Sequence, residues 1–144
     1  METTSTNDGL RQALAYVRDI TALRDEWYDL GSAEATNPAV QEAIDHWDTD
    51  IHDRIGGLPL SVETRAGWRP IDAYDDLDYP PCEFIVLLSF GGPAVRIYGE
   101  LPLAAHTIEI QGQDWGTPWE SARLTDADRE ALLWFCAMVG LDDV

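Results

Sequence analysis

Lysine is absent from this chain. All nine basic residues are arginine, against 27 aspartates and glutamates in 144 residues, which leaves a formal charge of −18. A body so negative repels phosphate, so direct binding to nucleic acid is not expected. Cysteine is scarce too. Cys82 and Cys136 stand at no metal or redox spacing, and the expectation is two reduced thiols. Long apolar runs are missing: the stretches 84–90 and 131–139 reach only about half a membrane span. The opening Met1-Glu2-Thr3-Thr4 has neither a basic nor an apolar signal region. The expected setting is therefore the cytoplasm, with no membrane partner.

Aromatic and aliphatic residues are plentiful. Hydrophobic residues make up 45% of the chain, with six Trp, five Tyr and three Phe, which excludes a disordered acidic tail. The length suits a single domain over 1–144 with a real core. Leu10, Leu14, Val17, Ile20, Leu23, Trp27 and Leu30 recur at helical spacing, with Gly31 as a stop. Asn37-Pro38 opens a second helix carrying Val40, Ile44, Trp47, Ile51 and Ile55 on one stripe and ending at Gly56-Gly57. The short link makes residues 1–57 an antiparallel helical hairpin.

Over 58–144 the period changes to strands. A short strand is expected within 58–66, and 83–90 (EFIVLLSF) reads as a central one. Gly91-Gly92-Pro93 turns into 94–101 with Val95 and Ile97 inward, and 106–113 follows with Ile108 and Ile110 inward. Trp115 and Trp119 are expected to cover the open end of the sheet, with Asp114 or Glu120 accepting from an indole. Thr125 and Asp128 form a capping box for a last helix too apolar for a surface position, hence packed on the sheet. The fold class is α+β: helical hairpin, three or four antiparallel strands, C-terminal helix.

Catalytic constellations are thin. His46 and His52 are six apart and so lie on different sides of a helix. Asp45, Asp48 and His52 do share a face and leave open a small metal-dependent enzyme, although a solvated polar face is the plainer reading. No G-x-S-x-G surrounds a serine. Pro93 removes an amide donor where a phosphate cradle would need one. Glu100 and Asp114 would form an acid–base pair only if neighbouring strands aligned them. The reading is of a non-enzyme with no cofactor and no metal.

Charge and tyrosine converge in 71–79 (IDAYDDLDY). Asp72, Asp75, Asp76 and Asp78 alternate with Tyr74 and Tyr79, without the glycine and terminal glutamate of a calcium loop. The plain reading is a solvated loop. The sharper reading is a recognition loop, with tyrosines as rigid anchors and aspartates accepting from partner arginines. Glu42, Asp45, Asp48 and Asp53 extend the set along the second helix. Duplex DNA carries one negative charge per roughly 1.7 Å of axis, a density that one face of this chain approaches. The partner this implies is a protein whose basic channel normally holds nucleic acid.

The segments Gly91-Gly92-Pro93-Ala94-Val95-Arg96-Ile97-Tyr98-Gly99-Glu100-Leu101 and Gln113-Asp114-Trp115-Gly116-Thr117-Pro118-Trp119 resemble a family of small proteins from phages, plasmids and integrated elements. The resemblance covers roughly residues 83–140 and leaves the helical hairpin outside it. It implies a mobile-element setting, where small acidic proteins are often inhibitors of host defence, and no catalytic residues come with it. The leading expectation is an anti-CRISPR-like inhibitor that blocks target DNA binding by charge mimicry of a CRISPR effector's ligand, with a restriction enzyme as the next target. An immunity protein neutralising a basic nuclease, and a salt-adapted domain, remain the alternatives.

Overall fold

The computed structural model describes residues 7–72 and 79–144. Three helices and five strands follow the expected order: α1 (Asp8–Gly31), α2 (Pro38–Gly57), β1 (Ser61–Arg65), β2 (Glu83–Ser89), β3 (Ala94–Glu100), β4 (Glu109–Gln113), β5 (Glu120–Ser121) and α3 (Asp126–Met138). The strands form an antiparallel meander in the order β1-β2-β3-β4-β5. The fold is α+β.

Strand alternation decides which face meets the helices. Phe84, Val86 and Leu88 of β2, Val95 and Ile97 of β3, and Ile108 and Ile110 at β4 are buried. Burial at period 2 requires a covered face. The cover is α1, which crosses β4 and β3 and lies beside α3. Ala13, Val17, Ile20 and Leu23 of α1, Ile51 and Ile55 of α2, and Ala131, Leu132, Phe135 and Cys136 of α3 join the strand residues in one cluster.

The closest approach lies between two glycines. A Cβ on Gly9 would meet the Gln113 carbonyl oxygen at 2.7 Å, and one on Gly112 would fall inside the backbone of Gly9 and Leu10. The first turn of α1 therefore rests directly on β4, backbone on backbone. Polar bonds fix it there. The Asn7 side-chain amide donates to the Gly112 carbonyl at 3.2 Å, and the Asp8 backbone N–H donates to the Asp114 carboxylate at 3.2 Å. Tyr16 pins the same helix to β2 by donating to the Leu88 carbonyl at 3.3 Å.

Helix α2 starts as its sequence dictates. Asn37 accepts from the Val40 N–H at 3.0 Å, and Pro38 occupies the first turn, where a missing N–H costs nothing. It runs antiparallel to α1: Leu58 lies near Leu23, Arg54 bonds Glu26, and Ile44 stands near Leu30. Helix α3 carries the capping box in full, with Thr125 and Asp128 exchanging bonds of 3.0 and 3.1 Å.

Four expectations are corrected. Residues 105–107 form a 3₁₀ turn, so His106 precedes β4 instead of lying in it. A fifth strand, only two residues long, pairs with Gln111 and Gly112. Trp115 is 85% exposed and lies against Gly92 in the β2–β3 turn, so it covers no core. Asp114 binds the backbone N–H groups of Asp8 and Trp115, not an indole.

Candidate functional site

The outer face of the sheet, away from the helices, carries one ion pair and one ring-stacked arginine among the described residues. Arg65 meets Glu83 at 2.5 Å, and hydrogen bonding to that carboxylate raises the guanidinium pKa. Burial, with Glu83 close by, raises the Tyr98 hydroxyl on the adjoining strand. Arg96 stacks 4.1 Å from the Trp119 ring centroid and donates to Gln111 at 2.7 Å; partial burial lowers its pKa. Ile85 and Leu87 sit half-buried beside their register partners Tyr98 and Arg96.

Helix α1 has no basic residue in its last turn, where Asp29 lies at the negative end of its dipole, with Asp25 and Glu26 one turn before it. Among the described residues only Glu26 of these has an ion-pair partner, Arg54 at 2.8 Å. Arg54 also reaches Asp50 at 3.0 Å and so ties the two helices together. On α2, Glu42, Asp45 and Asp53 point to solvent, and none has an ion pair among the described residues. Asp45 accepts from the Gln41 side chain at 2.7 Å. Asp48 faces the His52 ring at 3.5 Å, while its own carbonyl lies 2.7 Å from His52 Nδ1. The His52 ring packs edge-on against Trp27, centroids 4.9 Å apart.

Open hollows flank the seam between α1 and α2, and two of them set aromatics beside carboxylates. One, of about 330 Å³, is lined by Glu26, Asp29, Leu30, Trp47, Asp50 and Arg54. The other, of about 480 Å³, lies against Trp27, Tyr28, Leu30, Ile44, Asp45 and Asp48. Trp47 and Tyr28, which the hydrophobic periodicity assigns to a stripe or leaves unremarked, are 58% and 62% exposed. The signal that marks them is an aromatic within one turn of a carboxylate on each helix.

The residues singled out from sequence divide into two places. Glu42, Asp45, Asp48 and Asp53 all lie on α2. In the 71–79 segment, Asp72 is exposed and Tyr79 half-buried, and neither bonds to the α2 carboxylates. Tyr74, Asp75, Asp76 and Asp78 lie outside the described residues. The same loop exposes Trp68 and Ile71 completely.

Two chemical alternatives fail on geometry. Among the described residues no group of three His, Cys, Asp or Glu side chains is placed to hold a metal, so Asp45, Asp48 and His52 form no centre. Glu100 and Asp114 do not pair. Ala94 opposes Gln113, so the two acids sit at opposite ends of β3, roughly 20 Å apart at about 3.3 Å per residue. Among the described residues no helix is long and apolar enough to cross a membrane. Comparison with known proteins gives no match to a family model, a curated protein or a solved structure.

Proposed function

We propose that this chain is a non-enzymatic binding protein whose acidic hairpin docks on a basic, nucleic-acid-handling protein and displaces its nucleic acid. The observation that carries this reading is that carboxylates stand where they oppose helix stability. Asp29 lies in the last turn of α1, one turn after Asp25, and Glu42/Asp45, Asp45/Asp48 and Asp50/Asp53 are like-charge neighbours along α2. Each such pair costs about 0.2–0.5 kcal/mol, and an acid at a helix C-terminus a further ~0.3–1 kcal/mol. Folding alone gives no reason to keep them. A basic channel does, because docking there releases counterions and brings opposite charges together.

The turn motifs that resemble mobile-element proteins make a CRISPR effector the first target and a restriction complex the second. The test is competition. A guide-loaded effector holding labelled target duplex is titrated with the chain, and the duplex should be released with a potency that falls as salt rises. Reversing Asp25, Asp29, Glu42, Asp45 and Asp53 to Arg together should abolish release while the circular dichroism spectrum stays unchanged. Release that ignores both salt and charge reversal would refute charge-driven docking.

A further inference from the structure

The two aromatic-lined hollows beside the α1–α2 seam share their ingredients and differ in one respect. In the smaller, a guanidinium is already seated: Arg54 lies 2.8 Å from Glu26 and 3.0 Å from Asp50, in a hollow it shares with Trp47. The chain thus carries its own example of arginine held between carboxylates on these two helices. In the larger groove the carboxylates are Asp45 and Asp48 and the aromatics are Trp27 and Tyr28. Among the described residues no arginine comes within ion-pair distance of either acid, and the His52 ring is the one basic group near Asp48. The last turn of α1, Tyr28 to Gly31, ends against this groove and has no cation to offset its dipole.

We infer that the groove between Tyr28 and Asp45/Asp48 receives an arginine side chain of the basic partner, an inference that rests on the docking function proposed above. Apolar walls at Leu30 and Ile44 suit the methylene stem. Tyr28, more than half exposed, offers a face for the planar guanidinium, and a carboxylate accepts its paired N–H groups. Lysine fits less well, because a compact ammonium neither stacks nor bonds bidentately. A groove of this size takes one long side chain together with the backbone that bears it.

A capped hexa-arginine peptide, with hexa-lysine alongside, serves as the probe against the full ¹⁵N-labelled chain at low salt. Amides of 27–32 and 44–48 and the Trp27 indole should shift first, and hexa-arginine should bind more tightly than hexa-lysine. Tyr28→Ala should weaken hexa-arginine by about threefold to tenfold and remove its advantage over hexa-lysine. Asp45→Asn with Asp48→Asn should weaken both peptides. All three positions are exposed, so the variants retain the fold. Shifts spread evenly over the acids of both helices, with Tyr28→Ala silent, would overturn the groove and leave acidic docking standing. Failure of both peptides to bind at low salt would overturn the two together.

Discussion

Asp29→Asn should make the protein more stable, a direction opposite to that of most substitutions. The side chain is exposed in the last turn of α1, makes no hydrogen bond or ion pair, and stands four residues from Asp25 and three from Glu26. Removing its charge relieves the dipole by ~0.3–1 kcal/mol and two like-charge neighbours by about 0.2–0.5 kcal/mol each. Asn and Asp have nearly equal helix propensity, so the change isolates charge. The expected gain is ~1 kcal/mol at low salt, or roughly 2–4 °C in Tm for a chain of this length. At 1 M salt the screening length falls to about 3 Å and the gain should nearly vanish. Asp126→Asn is the control, since that carboxylate sits in the first turn of α3, where the dipole favours it. There the same substitution should cost ~0.3–1 kcal/mol. Urea unfolding at low and high salt measures both. Equal signs for the two variants, or a neutral Asp29→Asn at low salt, would show that the hairpin acids carry no folding penalty.

Gly112→Ala should cost about 3 kcal/mol, the upper end for overpacking, because the obstructing atoms are the backbone of Gly9 and Leu10. A thermal melt should fall by roughly 6–12 °C, and a drop within error of zero would mean that α1 does not rest on β4 as described. Thr125→Ala removes the acceptor for the Asp128 N–H and should destabilise by about 1 kcal/mol in urea titrations. Burial pushes the Cys136 thiol from its ordinary 9.0 up to about 12, so the folded state keeps a proton that the unfolded chain loses. That contribution is complete below pH 9 and is lost as pH rises from 9 to 12, with a slope of at most about 1.4 kcal/mol per pH unit. Cys136→Ala should flatten this part of the stability profile; equal slopes in the two proteins would contradict the burial.

The helices were legible because their signals are local. Asn37-Pro38 and the Thr125/Asp128 box each act within one turn, and the structure shows both at work. The β2–β3 hairpin was legible from Gly91-Gly92-Pro93 between two apolar runs. What escaped depends on distant partners. Strand β5 is two residues without a hydrophobic pattern, held only by its register with β4. Asp114 serves a helix that begins 106 residues earlier in the chain, so its neighbours in sequence suggested an indole instead. Trp115 looked like a lid because tryptophan usually seeks cover; the bare Gly92 turn offers it a surface without burying it. Of the acidic set, the α2 members could be grouped from helical spacing, whereas the two grooves require knowing where α1 lies.

The hairpin can bear its adverse charge because α2 is anchored by something the charge does not touch. Ile51 and Ile55 are each 2% exposed, and burying two such side chains is worth roughly 3–6 kcal/mol as an upper estimate. The three like-charge neighbours along α2 oppose this with about 0.6–1.5 kcal/mol. Burial wins, and it does so through residues on the side of the helix opposite Glu42 and Asp53, with Asp45 on the flank beside the groove. The buried isoleucines and the outermost carboxylates, Glu42 and Asp53, therefore occupy different faces of α2, and that outer face can change its charge without a compensating change in the core. The first turn of α1 has no such freedom: its backbone touches β4, and there Asp114 serves the helix end itself. A partner-facing surface suits the first arrangement and not the second, so the docking proposed above belongs with the hairpin, while the Gly9–Gly112 crossing holds the fold.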